Sequence, residues 1–312
     1  MWPGAVTDKA RPNKTGAGEA AGYRLGLSYM FVATLFTSIA GIVLRLVEEA
    51  DGWQVLFYRS SALVVTLVPF IAWRYGAGAG RAFLAIGRPG LVAAACLAGA
   101  FSLFIFALYE TTVANVVFTI GLSPLLAALF AWMVMREALA PGTLAAMAAS
   151  VAGIGLMVGD GLASGTLLGN ALALGACLCY SAALVAMRKG READMIPAVC
   201  LAGVLATLVS WLAAPDLGVS GRDLGLAATL GVVQLGFQYI LITAAIRHVP
   251  AAEVALIGRA SLVLAPIWVW LGVGEVPSTL TLAGGAIVFA AITGHGVLAI
   301  RRSRAALSRS GE

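Results

Sequence analysis

The chain has 312 residues, of which 61% are hydrophobic and only 11% charged, and its mean hydropathy is +0.95. A water-soluble domain carries about 25% charged residues, so lipid must cover most of this surface. At about 20 residues per spanning helix the length is used up by ten spans, and the net charge of +5 points to basic loops on one membrane side rather than to a nucleic-acid partner.

Residues 1–23 form a polar tail containing Asp8, Lys9, Arg11, Lys14 and Glu19. It has no apolar centre, which argues against a cleavable signal peptide. Apolar runs follow at 25–47, 54–74, 89–109, 113–135, 142–160, 166–187, 195–214, 223–246, 250–273 and 279–300. Each has the length and composition of a spanning helix. Ala214-Pro215 is a stop signal for the seventh. A basic tail, 301–312, closes the chain. Cys96, Cys177, Cys179 and Cys200 lie inside apolar runs without metal-ligand spacing, so packing is expected of them and neither a disulfide framework nor a metal site is. The fold class expected is an all-α polytopic membrane protein with ten transmembrane helices.

Lysine and arginine orient these helices. With the N-terminus inside, the inner segments hold all 20 Lys and Arg residues except Arg45, Arg59, Arg222 and Arg259. Arg222 alone falls on the outer side, and the other three lie within helices. Such a bias in every alternate loop predicts an N-in, C-in protein of a prokaryotic inner membrane. Glu48, Glu49, Asp51, Glu110, Asp160, Asp216, Asp223 and Glu275 gather on the outer side.

The sequence also repeats. Ala114 to Leu144 aligns without gaps on Ala252 to Leu282, a shift of 138 that pairs Trp132 with Trp270 and Glu137 with Glu275. A shift of 143 pairs Ser38 with Ser181 and Arg45 with Arg188. The halves, 24–160 and 161–300, hold five helices each. Five is odd, so the second half enters from the opposite side as an inverted repeat. That build is common in secondary transporters, which bind substrate at mid-membrane between the halves.

The residues now carry a resemblance. Tyr109-Glu-Thr-Thr-Val-Ala-Asn, Pro124, Arg136-Glu137-Ala138-Leu139 and Gly153-Ile-Gly155 resemble, in order and spacing, an EamA domain. That domain is the repeat unit of the drug/metabolite transporter superfamily. Phe57-Tyr58-Arg59-Ser60 and Gly274-Glu275 are similar to the same pattern. The ten-helix arrangement resembles YddG-type amino-acid exporters. The resemblance implies a basket of helices around a central cavity and efflux of small metabolites, aromatic amino acids among them. The second copy departs from the first, with Arg259 in place of Gly121 and Leu262 in place of Pro124.

Polar groups inside hydrocarbon face a protein interior or a watery cavity. Helical spacing groups Thr34, Thr37, Ser38 and Arg45 on the first helix, Asn115, Thr119 and Ser123 on the fourth, and Tyr180 and Ser181 on the sixth. Gln234, Gln238 and Tyr239 mark the eighth, and amides need partners that their own helix rarely supplies. Ser and Thr can instead bond back to helix carbonyls. Arg259, about 15 Å into the ninth helix, is the most informative side chain, a candidate to bind a substrate carboxylate or to close a gate by pairing with an acidic group. Its spacing of six from Glu253 puts the two on different faces. Trp268 is a further cavity candidate. Arg45, Arg59 and Glu253 are candidates for a gate or salt bridge. Arg59 reads equally as an anchor near Glu48, Glu49 and Asp51, and Glu253 as a proton carrier. Pro124 and Pro266 are hinge candidates. His295 reads as a packing residue. Helices five and ten, with Gly155-xxx-Gly159 and Gly284-Gly285, read as peripheral, at a dimer face if the protein is a weak homodimer rather than a monomer.

Paired acids, a Ser/His constellation and a Walker-type loop are missing from the sequence, which argues against an enzyme or an ATP-driven pump. No cofactor is expected. The partners expected are a small-molecule substrate and membrane lipid. A channel-like or lipid-handling protein is the competing class, and a drug or other metabolite exporter or facilitator the competing function.

Overall fold

The computed structural model describes residues 16–136, 139–164, 166–190 and 193–309, and within these leaves aside the side chains of 16–21, 160–164, 251–252 and 298–309. Glu137, Arg191 and the charges of both tails fall outside what is described. Ten helices are long and apolar enough to cross a membrane: span 1 (Gly22–Arg45), span 2 (Gly52–Ala85), span 3 (Gly87–Glu110), span 4 (Val113–Met135), span 5 (Pro141–Gly159), span 6 (Leu167–Lys189), span 7 (Ile196–Ala213), span 8 (Gly221–Ala245), span 9 (Glu253–Val273) and span 10 (Thr279–Val297). The first helix starts at Gly16, and the last runs on to Arg309 through most of the expected tail.

The shift of 138 reappears in the backbone. Span 4 breaks between Val113–Gly121 and Ser123–Met135, and span 9 between Ala251–Gly258 and Ser261–Val273. Adding 138 to Ser123 and Met135 gives Ser261 and Val273. Both second segments end on a left-handed residue, Arg136 at φ 55° and Gly274 at φ 71°. At each break a tighter, three-residue hydrogen bond replaces the α-helical one: Leu122 N–H to Thr119 O at 3.1 Å, and Leu262 N–H to Arg259 O at 3.0 Å.

The two expected hinge prolines differ. Pro124 sits at the first turn after the break in span 4, where its missing N–H is harmless. Pro266 lies inside Ser261–Val273, beyond the break in span 9. There the Ser261 hydroxyl donates to Gly258 O at 2.7 Å, a bond that competes with helix continuation. The break therefore follows the repeat rather than the proline. The two breaks also meet, because a Cβ on Gly121 would lie 3.1 Å from Leu262 Cδ1.

Spans 5 and 10 pack on each other away from the centre. A Cβ on Gly153 would meet the Gly284 carbonyl at 2.6 Å, whereas Gly155 and Gly159 face open space. The tight glycine of span 5 is thus Gly153, two residues before the expected pair and on a different face of the helix. His295 Nε2 lies 2.9 Å from Thr143 Oγ1, bridging the same two spans.

One end of the bundle is stitched between the halves. The buried Asp223 carboxylate accepts the N–H groups of Glu48, Glu49 and Ala50 at 3.2, 2.9 and 2.9 Å. Glu48 pairs with Arg222. Arg45 Nε donates to Glu275 at 2.7 Å, and its other nitrogens donate to the carbonyls of Leu108 and Thr111, both at 2.7 Å. Glu275 also accepts the Val113 N–H at 2.8 Å. At the opposite end Tyr23 donates to Glu253 at 2.7 Å, and Arg74 and Tyr75 both hold Asp194.

Candidate functional site

The centre of the bundle holds a cavity of about 170 Å³. Spans 1, 2, 3, 4, 6, 8 and 9 wall it, so both repeats contribute. Its volume lies below the roughly 300–1,000 Å³ of drug-sized pockets, which favours a small metabolite. Its polar lining is Thr37, Arg59, Tyr180, Gln234, Gln238, Tyr239 and Ser261, and its apolar lining includes Phe101, Phe104, Ile120 and Leu262.

Arg59 is the charged residue in that wall. Its placement follows from the start of span 2. Asp51 caps the helix by accepting the Gln54 N–H at 2.8 Å, and Gln54 Oε1 accepts the Asp51 N–H at 2.9 Å. This capping box fixes Gly52 as the first helical residue. Arg59 then lies about 10 Å further in at 1.5 Å per residue. It is 2% exposed. Its Nη2 donates to Gln234 Oε1 at 3.2 Å, while Nε and Nη1 are buried without a hydrogen-bond partner. The rings of Phe101 and Phe104 lie 5.4 and 5.8 Å from Cζ. Aromatic faces recover part of the cost of burying a cation, but a guanidinium without an acid remains expensive in a low dielectric.

Gln234 reaches Arg59 because span 8 is irregular. Between Gly221–Thr229 and Gln238–Ala245 the helix widens to a π-helical turn over Leu230–Phe237. Such insertions cluster at functional sites. Two glycines make the close approach: a Cβ on Gly231 would collide with the Arg59 carbonyl, and one on Gly236 would lie 2.7 Å from Thr66 Cγ2.

Of the residues proposed from sequence to line the cavity, Tyr180, Gln234, Gln238 and Tyr239 stand in its wall. The others lie elsewhere. Trp268 Nε1 donates to Ser38 Oγ at 2.9 Å, and Ser38 donates back to Leu35 O at 2.8 Å. This pair joins spans 1 and 9. Asn115 Oδ1 accepts from Thr281 at 2.9 Å and Asn115 Nδ2 donates to Thr111 at 3.1 Å; Thr111 in turn donates to Asn170 at 3.2 Å. Here buried polar groups pair with one another between spans 4, 6 and 10, while Asn170 Nδ2 is buried without a hydrogen-bond partner. Ser181 donates to the carbonyls of Cys177 at 2.6 Å and Ser123 at 3.2 Å, next to the break in span 4. Thr119 is buried away from the cavity lining.

Arg259 is also absent from the cavity wall. It is half-buried, and its guanidinium lies directly on Gly296 of span 10, where a Cβ would collide with Nη1. The arginine in the cavity is Arg59, whose guanidinium has no salt-bridge acid among the described residues. Glu48, Glu49 and Asp51, its expected acidic neighbours, are turned to other tasks: Glu48 to Arg222, Asp51 to the helix cap, and the Glu49 N–H to Asp223. Arg45, a candidate for a gate or salt bridge, pairs with Glu275 rather than with Glu48, Glu49 or Asp51. Glu253 is bonded to Tyr23.

The family model described as the EamA-like transporter family matches residues 24–159 and again 167–295. No curated protein matches the sequence. Among 13 matching chains of solved structures is a crystal structure with a TM-score of 0.62 and 18% identity, covering 91% of this chain and 99% of that one. At that identity the likeness shows a shared fold.

Proposed function

The chain belongs to the EamA-like transporter family and is an integral membrane protein of ten helices in two repeated halves, and from that premise we propose that it exports small carboxylate-bearing metabolites, amino acids including aromatic ones, by alternating access. The observation that carries this reading is Arg59: a buried guanidinium in the cavity wall, with Nε and Nη1 unpaired and two aromatic rings beside it. A carboxylate can accept charge-assisted bonds from Nη1 together with the second Nη2 hydrogen, the end-on fork of the guanidinium, or a single bond from Nε. Phe101, Phe104, Tyr180 and Tyr239 offer faces to an aromatic side chain. Gln234, Gln238, Thr37 and Ser261 offer oxygens to an ammonium group. The breaks at Leu122 and Ala260 are the hinges in this account, and the Arg45–Glu275 clamp closes one end. Both termini lie on the inner side of a prokaryotic inner membrane, in keeping with the loop charges. The protein works without a cofactor and is not an enzyme.

A second reading has its own support. Among the described lining residues no acid stands opposite Arg59, so an organic anion lacking an ammonium group would balance the cavity's charge. Proteoliposomes preloaded with labelled amino acids, then with the matching deaminated acids, separate the two. Export of amino acids supports the first. Export confined to the deaminated acids supports the second, and export of neither contradicts both.

A further inference from the structure

A second recess lies on the flank of the bundle and has no part in the central cavity. It measures about 600 Å³ and is lined by Arg88, Pro89 and Val92 of span 3, Phe130 and Val134 of span 4, and Ala182, Val185, Ala186 and Lys189 of span 6. Its floor is apolar. Its walls open outward, since Val92 and Val134 are 53% and 59% exposed. Both cations sit at one end. Span 3 begins and span 6 ends at this level, and Pro89 packs on Gly190, where an added Cβ would lie 3.1 Å from Pro89 Cβ. That contact brings the start of span 3 against the end of span 6, and the neighbouring Arg88 and Lys189 both line the recess. Both side chains are exposed, and neither forms an ion pair among the described residues. Arg74, Arg81, Arg136 and Arg188 end or flank spans at this same end.

We propose that this groove is a binding site for an anionic phospholipid. The phosphate sits between Arg88 and Lys189, and an acyl chain lies along Val92, Phe130, Val134 and Val185. An apolar trough alone would fit any lipid tail, but two unpaired cations at its headgroup end select a negative head. Each cation near an anionic headgroup is worth about fivefold in binding, so the pair should favour phosphatidylglycerol over phosphatidylcholine by roughly 25-fold.

Native mass spectrometry of the full-length protein, given equal amounts of phosphatidylglycerol and phosphatidylcholine, reads this preference. The expected result is retained phosphatidylglycerol on the wild type, near parity for R88Q/K189Q, and an unchanged preference for R81Q, which removes a neighbouring charge outside the groove. Ala182→Trp keeps both charges but fills the trough, and should lose the bound lipid. Parity in the wild type overturns the proposal without any variant. So does a preference that survives R88Q/K189Q, or one that survives Ala182→Trp.

Discussion

Two arginines lie within the spans of this protein away from the span ends, and they meet different surroundings. Arg59 is enclosed, faces the cavity from span 2, and is flanked by Phe101, Phe104 and Gln234. Arg259 is half-buried, lies at the break of span 9, and rests on Gly296. Depth along the helix is similar for both, about 10–15 Å. Depth shows that a charge is unusual; the face it occupies decides what it can meet. A half-exposed arginine can carry its head toward polar surroundings on a flexible stem. A fully enclosed one cannot, and in the proposed function an arriving carboxylate offsets its charge.

The contrast breaks most readily at Arg59. Arg59→Ala should lower substrate affinity by more than about a hundredfold, because losing one member of a buried charge pair costs about 3–5 kcal/mol. Arg59→Lys should rescue little, since a point charge does not reproduce the two-pronged contact. Equilibrium binding to purified protein measures both. Gln234→Glu should come next, at roughly tenfold or more in affinity. It places an internal carboxylate on Arg59 that the substrate must displace, and the folded protein should persist.

Arg259 should give the opposite profile. Gly296→Val forces the guanidinium aside and should cost about 1–3 kcal/mol of stability by overpacking, read by thermal unfolding in detergent, with KM unchanged. Arg259→Ala should leave KM unchanged too, and a large rise in KM would merge the two arginines into one site. The smallest effect is expected for Tyr239→Phe, which removes one hydroxyl from the cavity wall. Loss of a hydrogen bond of about 0.5–1.5 kcal/mol should raise KM between about twofold and tenfold.

The sequence carried the architecture further than the site. The count of spans follows from hydropathy, because lipid imposes length and composition on every crossing helix. The 138-residue shift extends beyond side-chain identities to the helix breaks and to the left-handed residues Arg136 and Gly274. Gln234, Gln238, Tyr239 and Tyr180 were legible as cavity residues because amides and phenols inside hydrocarbon need company. The placement of Arg59 in the cavity wall was not. Its acidic neighbours in sequence suggested an ion pair, while Asp223 and Arg222, some 170 residues away, determine how the Glu48–Asp51 loop is held. The capping box of Asp51 and Gln54 was the available local signal, since it dates the start of the helix and hence the depth of Arg59. The π-helical turn of span 8 has no sequence rule behind it. Only the packing of Gly231 and Gly236 on span 2 reveals why it forms there. Asn115, Ser38 and Trp268 stand outside the cavity lining for a related reason: polar residues on a helix face serve helix pairing as readily as a cavity.

The most direct test of the carboxylate site is binding of an amino acid and of its carboxamide to wild type, Arg59→Ala and Arg259→Ala protein. Wild type and Arg259→Ala should both prefer the carboxylate strongly, and Arg59→Ala should bind the two compounds with nearly equal, weak affinity. Undiminished carboxylate preference in Arg59→Ala, or its loss in Arg259→Ala, would contradict the assignment.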